Sequence, residues 1–256
     1  MATVDKLELE TKVKEVYRLV AHHPEEKYHF KMGRSLAEEL GYPTEDLNKI
    51  PEESIESFAG VGNPLALIDI KSGQRILDLG SGSGMDTFLA ALKLKGSGEV
   101  IGLDMTKEQL EKSKNIRKKF NIQNVEFIES HIENLPFEDN SFDLVISNGV
   151  INLSPEKQQV FKEIKRVLRS DSYLAVSDII SELQLSEKIK CDATLWASCI
   201  GGATQENEYS DLIKKVGMEI VKIVNNPNYE FISKQAIDAS KKYGVKSTSV
   251  LAKTSK

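Results

Sequence analysis

Residues 75–104, RILDLGSGSGMDTFLAALKLKGSGEVIGLD, constrain the fold of this chain more than any other stretch. Arg75–Leu79 is a short apolar run of the kind a strand buried on both faces shows, and Ile101–Leu103 repeats it after a helical stretch. The order strand, glycine turn, helix, strand is a βαβ unit. In Gly80-Ser81-Gly82-Ser83-Gly84 the missing Cβ atoms let backbone approach a ligand and make positive φ cheap, so the turn can deliver N–H groups to a nucleotide-like molecule. Asp104 closes the second strand twenty residues after Gly84, where a carboxylate accepts hydrogen bonds from ribose hydroxyls. Together these features describe an adenosine half-site.

A glycine turn alone is weak evidence, because some merely turn the chain. The main rival ligand is a nicotinamide dinucleotide, whose turn reads G-x-G-x-x-G so that a pyrophosphate can sit on the helix N-terminus. Counting from Gly80 the last glycine should be residue 85, which is Met85; counting from Gly82 it should be residue 87, which is Thr87. The dinucleotide reading therefore weakens.

The length of 256 residues suits one α/β domain with additions, and 40% hydrophobic residues suffice for a substantial core. A formal charge of −5 argues against a generic polyanion binder, so no nucleic-acid partner is expected. No stretch approaches the roughly 18 apolar residues of a membrane span, and the first residues lack a signal peptide's basic and apolar regions. A cytoplasmic protein, monomer or homodimer, without membrane contact is expected. Cys191 and Cys199 give no disulfide framework; on one continuous helix they would lie about 12 Å apart along the axis and about 80° apart around it.

Residues 4–20 carry Val13, Val16, Tyr17 and Val20 at helical spacing, and Pro24 ends that helix. A second helix stops at Gly41 and Pro43, so residues 1–70 read as a helical cap ahead of the sheet domain at 71–256. His22, His23 and His29 invite a metal hypothesis. Adjacent helical histidines point about 100° apart, however, and no cysteine or carboxylate completes a known ligand spacing, so no metal is expected. Surface positions, or an acid/base role, remain for them. Gly60, Gly62 and Asn63 suit either a close approach to ligand or a plain turn. After Asp104 a charged helix opens with Thr106 as N-cap and Gln109 in the capping-box position. A strand follows at 125–128, then a loop with His131, Ile132 and Glu133, and a strand at 144–147 ending in Asn148. Ligands of doubly wound sheets bind at the carboxyl ends of strands, so the loop 148–155 should face the reacting centre. A further helix, a strand at 173–176 and a lid insertion near 182–206 come next, the lid carrying Trp196 and Cys199 on a helix. Trp196 is read as a substrate contact or as packing, and Cys199 as a contact or a buried small residue. The chain closes with helix, strand, helix, strand.

The motifs DLGSGSG at 78–84, IGLDMT at 101–106, NGVINLSP at 148–155 and WASCIGGA at 196–203 resemble those of class I S-adenosylmethionine-dependent methyltransferases, and more narrowly the arsenite methyltransferase family. The resemblance covers residues 55–225 well. It implies a Rossmann-like, doubly wound, seven-stranded sheet with an antiparallel edge strand. It also implies S-adenosylmethionine as cofactor, with Asp78, Gly80, Ser81, Gly82, Asp104, Met105, Ile132, Glu133 and Asn148 as cofactor-binding positions and Tyr17 near the sulfonium. The Pro-Gly-Gly turn usual in the family is replaced by Ser170-Asp171-Ser172.

The family holds trivalent arsenic by several thiolates, and here the resemblance breaks. Gly149 stands where the family writes NCVINL and Val61 stands in the G-x-G-N-P loop, while Cys199 alone is retained before Gly201-Gly202. One soft thiolate does not replace three. The leading reading is therefore a methyltransferase for a small-molecule acceptor. The alternatives are an arsenite or other metalloid methyltransferase, and a cofactor-binding regulatory module without turnover. Methyl transfer needs chiefly proximity and alignment; an acceptor that must lose a proton could use Tyr17, His22, His23 or His29 as base.

Overall fold

The computed structural model describes residues 4–197 and 199–255. Ser198, inside the 196–203 motif and the lid, lies outside the described residues, as do Met1, Ala2 and Thr3 of the N-terminal stretch.

The elements run α1 (Lys6–His22), α2 (Gly33–Glu39), α3 (Thr44–Leu47), α4 (Glu52–Ile55), β1 (Arg75–Leu79), α5 (Met85–Lys93), β2 (Glu99–Asp104), α6 (Lys107–Lys119), β3 (Val125–Glu129), β4 (Phe142–Asn148), α7 (Lys157–Val167) and β5 (Leu168–Ser181). They continue with α8 (Glu187–Lys190), α9 (Ala193–Ala197), β6 (Thr204–Gln205), α10 (Glu206–Lys215), β7 (Met218–Asn225), α11 (Lys234–Tyr243) and β8 (Lys246–Thr254). One mixed sheet has the order β3-β2-β1-β4-β5-β8-β7, and the two-residue β6 pairs with β5. The chain steps outward from β1 to β3, then returns to place β4 on the other side of β1. That reversal opens a crevice at the carboxyl ends of β1 and β4.

Buried residues alternate between the faces, as a period of two requires. Ile76, Val100, Leu144 and Ile146 meet Phe88, Leu89, Leu110 and Ile116 of α5 and α6. Leu77, Ile101, Leu103 and Val145 meet Val160, Phe161 and Ile164 of α7 and Tyr209 and Ile213 of α10. Burial on both faces explains why these strands read as continuous apolar runs.

The strand that runs against the others is β8, which pairs antiparallel with both β5 and β7, so the edge strand β7 points the same way as the parallel set. β5 is longer than its apolar stretch. Between the pairs Phe142↔Leu168 and Leu144↔Tyr173 its extra residues bulge, with Asp171 at φ 62°. The Thr254 hydroxyl holds the bulge, accepting from Ser172 N–H at 2.9 Å and donating to Arg169 O at 2.7 Å. The residues replacing Pro-Gly-Gly thus form an in-strand bulge.

The expected lid helix is two short helices. Asp192 Oδ1 accepts from the N–H groups of Thr194 at 2.9 Å and Leu195 at 3.1 Å, which caps α9 and starts it afresh. The capping box at Gln109 does not form. Gln109 Nε2 donates to Tyr17 O at 2.8 Å and its Oε1 accepts from Ser83 Oγ at 2.6 Å, so a tertiary tie replaces the local one. Leu9 and Val13 of α1 bury against Trp196, Ala197 and Cys199 of the lid, with Ala236 and Ala239 of α11 in the same cluster.

Candidate active site

The glycine turn owes its shape to β2. Gly80 and Ser81 N–H both donate to Leu103 O, at 2.7 and 3.0 Å, and Gly82 N–H donates to Asp104 Oδ2 at 2.9 Å. These amides therefore serve the protein first; most of the N–H groups expected to face a ligand fix the turn against the second strand. Gly80 has φ 70°, and a Cβ there would lie 2.3 Å from a methyl of Val150, so only glycine fits.

Asp104 also accepts from Thr106 N–H through Oδ1 at 2.8 Å. Burial pushes its carboxyl up from the usual range, opposed by the Thr106 and Gly82 amides. Asp78, at the end of β1, is buried and accepts from Thr87 Oγ1 at 2.6 Å; burial and then the nearby Asp86 charge push it well up. Both carboxylates are thus held in low dielectric at the ligand end of the sheet.

A cavity of about 420 Å³ opens over this crevice. All ten residues assigned to the cofactor line it: Tyr17, Asp78, Gly80, Ser81, Gly82, Asp104, Met105, Ile132, Glu133 and Asn148. Its far wall is α1, through Lys6, Leu9, Glu10, Val13 and Tyr17. An ion pair joins α1 to the rim, Lys6 to Glu156 at 2.7 Å, and Glu10 lies 3.7 Å from His131 Nε2.

S-adenosylmethionine fits the residues present. Ser81 Oγ is buried at the cavity wall and has no hydrogen-bond partner, which a polar ligand atom would supply. The cavity is walled by the cradle at Gly80, by Asp104, by the buried apolar Ile132 and by the half-buried acidic Glu133.

The loop 60–63 joins this site through a network that sequence reasoning only half identified. Asn148 Oδ1 accepts from Val61 and Gly62 N–H at 2.8 and 3.2 Å, while its Nδ2 donates to Gly62 O at 2.9 Å and to Asp86 Oδ2 at 3.0 Å. The Tyr42 hydroxyl donates to Asp86 Oδ1 at 2.6 Å. Burial lifts Asp86 to about 6, against the donors Tyr42 and Asn148. Tyr42 and Asp86 were missed. Asp86 looks like an ordinary first-turn helix acid, and Tyr42 is 44 residues away from it. Asn148 is occupied as a clamp for the close approach of Gly60 and Gly62, whose Cβ atoms would collide with Phe58 and Asn148, and with Asn226 and Ser177.

The remaining site candidates divide. His22 and His23 are exposed at the end of α1 and do not line the cavity. His29 is half-buried, its Nε2 3.2 Å from Ala197 O, and burial lowers its pKa despite that carbonyl. It lines a second, small cavity with Cys199, and Tyr17 walls both. Trp196 is buried, its Nε1 donating to Lys190 O at 2.8 Å, with Lys157 Nζ 4.6 Å from the ring centre. Gly201 and Gly202 lie so close that added Cβ atoms would meet the Trp196 ring and Asn152 O. Packing therefore accounts for Trp196, which lines neither cavity. Burial pushes the Cys199 thiol up to about 12. No group of three or more His, Cys, Asp or Glu suited to a metal occurs among the described residues, and no helix among them is long and apolar enough to cross a membrane.

Residues 70–217 match the family described as Methyltransferase domain. An arsenite methyltransferase from Halobacterium salinarum is 37% identical over 198 residues, 77% of this chain and 50% of that protein. The Homo sapiens arsenite methyltransferase is 38% identical over 182 residues, 68% of this chain and 48% of that protein. The crystal structure of an arsenic(III) S-adenosylmethionine methyltransferase from Chlamydomonas reinhardtii superposes with a TM-score of 0.65 at 32% identity, covering 88% of this chain and 75% of that one. The chain spans about half the length of the curated relatives it matches. It belongs to the Methyltransferase domain family, in the class I S-adenosylmethionine-dependent group that includes the arsenite methyltransferases.

Proposed function

We propose that this chain is an S-adenosylmethionine-dependent methyltransferase acting on a small acceptor other than free arsenite. The observation that carries the first half is the cavity over the glycine turn, with Asp104 and the orphan Ser81 hydroxyl in its wall. Bound there, S-adenosylmethionine supplies a methyl group activated by a sulfonium. The protein's share is alignment and exclusion of water. Ile132 and Glu133 flank the adenine end, Asp104 accepts from ribose hydroxyls, and Gly80, Ser81 and Gly82 give backbone room. Asn148 fixes the 60–63 loop, and Tyr17 closes the cavity toward the lid. Residues 1–70 act as a cap on the 71–256 domain, with α1 as the covering piece. This cytoplasmic protein works on a small molecule, without nucleic acid, as monomer or homodimer.

Against arsenite stands the donor set. A Cβ at Gly149 would sit 3.2 Å from Val61, so the two positions where related proteins carry cysteine adjoin here without sulfur. Cys199 is buried with its thiol held in the neutral form, and Cys191 does not line the cavity. Calorimetry with S-adenosylmethionine and S-adenosylhomocysteine tests the first claim; no binding of either rejects it. Methylated arsenic products formed from arsenite at a rate matching a true acceptor would reject the second.

A further inference from the structure

The strand order lays out the large cavity as a line. Ile132 and Glu133 follow β3, Asp104 closes β2, Asp78 sits just before the end of β1, and Asn148 closes β4. An adenosine seated over β3 and β2 therefore sends the rest of its ligand across β1 and β4. Asp86 lies there, in the first turn of α5 and in the cavity wall. It reaches β4 through Asn148 Nδ2 at 3.0 Å, and its charge faces Asp78 of β1.

This end of the cavity holds buried carboxyls without a base. Neither Asp78 nor Asp86 has an ion-pair partner among the described residues, and both are buried. The basic residues in the described wall are Lys6 and His131, and both serve the rim beside α1: Lys6 pairs with Glu156, and His131 Nε2 lies 3.7 Å from Glu10. The other groups facing Asp86 are Tyr42, which donates to Oδ1 at 2.6 Å, and Asn148; the Asp104 charge acts on Asp78. Burial raises both carboxyls, and the charge of Asp86 raises Asp78 further, so the pair titrates together and keeps a proton to higher pH than a free carboxylate would. A buried acid pair with no cation beside it is completed by a cationic ligand group. Two donors occupy Asp86, and a carboxylate has about four acceptor sites, so roughly two remain for a group such as an ammonium, which offers only donors.

We propose that Asp86, together with Asp78, seats the α-ammonium of the cofactor's amino-acid tail, and that the tail displaces a proton from this pair on binding. The proposal rests on the S-adenosylmethionine reading given above. The displaced proton leaves for solvent, and the ammonium N–H groups take over the carboxylate oxygens. The sulfonium has no N–H and cannot take that place. Asp86 thus adds a ligand contact to its hold on Asn148, at the end of the cavity where the Gly80, Ser81 and Gly82 amides are already engaged with Leu103 and Asp104.

The test is calorimetry on the purified full chain from about pH 5 to pH 8, in buffers of different ionisation enthalpy. The probes are S-adenosylhomocysteine and methylthioadenosine, which keeps the adenosine and lacks the tail. Asp86 titrates at about 6, so below that value S-adenosylhomocysteine should release about one proton and lose up to about tenfold in affinity per pH unit, and above it the affinity should level off. Methylthioadenosine shares the adenosine end, with Asp104, His131 and Glu133, and should lack that proton. Tyr42→Phe removes a donor from Asp86 and should move the S-adenosylhomocysteine profile to higher pH. Asp86→Asn should weaken that ligand about tenfold at pH 8 and flatten its profile, as the loss of a charge-assisted bond implies. The same profile for both probes, or an unmoved profile in Tyr42→Phe, overturns the proposal. Binding of methylthioadenosine without S-adenosylhomocysteine also overturns it and leaves the adenosine site standing, whereas failure of both to bind overturns the S-adenosylmethionine reading itself.

Discussion

Asn148 Nδ2 donates to Asp86 Oδ2 at 3.0 Å, tying the end of β4 to the first turn of α5, while Asn148 Oδ1 holds the Val61 and Gly62 amides. Replacing Asn148 with alanine leaves two backbone donors without their acceptor and the Asp86 carboxylate short of a donor. Each buried group left unsatisfied costs about 1–3 kcal/mol, so a loss of about 3 kcal/mol in urea unfolding is expected.

That substitution also has a pH signature. Asp86 titrates at about 6 in the folded protein against 3.8 ordinarily, so the native state holds its proton more tightly across that window. Its contribution is full below the unfolded value and is lost as pH rises through the folded one. Stability should therefore fall between about pH 4 and pH 6. Without Asn148 as donor the Asp86 value rises further, so in the Asn148→Ala protein the fall should extend to higher pH. Parallel urea midpoints for parent and variant from pH 4.5 to pH 8 would contradict this.

Asp104 holds Gly82 and Thr106 amides and faces the cavity. Asp104→Asn keeps the shape, removes the charge and turns one of the two acceptor oxygens into an NH2 donor, so either the Gly82 or the Thr106 amide loses its partner. S-adenosylhomocysteine affinity should drop about tenfold or more, as the loss of charge-assisted bonds implies, with cooperative unfolding retained. Affinity within twofold of the parent would remove Asp104 from the ligand site.

Gly202→Ala should disturb the lid rather than the sheet. The new Cβ would lie 1.8 Å from Asn152 O, a backbone atom with no freedom to swing aside. A loss of about 2 kcal/mol is expected from this overpacking. Trp196 is the single tryptophan, so its emission should shift to the red as the lid lifts from Lys157. An unchanged spectrum with parental stability would show that the close approach is relaxed at no cost.

Arsenite binding should be absent from the parent and gained by Val61→Cys combined with Gly149→Cys. The two positions adjoin, and Val61 shares an apolar cluster with Cys199. The residue at 149 has φ 75°, so the new cysteine there carries a strain of about 1–2 kcal/mol. Thiol titration with and without arsenite distinguishes the cases: protection of thiols in the double variant only is the expected result.

The parallel core was plain in the sequence because its strands are buried on both faces. Arg75–Leu79 matches β1 end to end, and Asp104 and Asn148 close β2 and β4 where the crevice forms. What the sequence concealed is polar and tertiary. The Gln109 side chain reaches Tyr17 and Ser83 rather than its own helix terminus, and no local pattern announces that. Tyr42 meets Asp86 only because α2 and the following turn pack on α5. Asp192 splits the lid into α8 and α9, a break hidden in a stretch that otherwise reads as helical. The candidate histidines illustrate the same limit: residue type suggested three, and only His29 comes to rest beside a cavity.

Five residues of α1 form one wall of the large cavity, so occupancy of that cavity and docking of this helix are two views of a single equilibrium. A ligand that binds only when α1 is docked must protect the amides of residues 6–22 from exchange, and by reciprocity whatever frees α1 must weaken that ligand to the same degree. The non-helical stretch after His22 then becomes a reporter: a protease that cuts there only when α1 is undocked reads the fraction of molecules with an empty site.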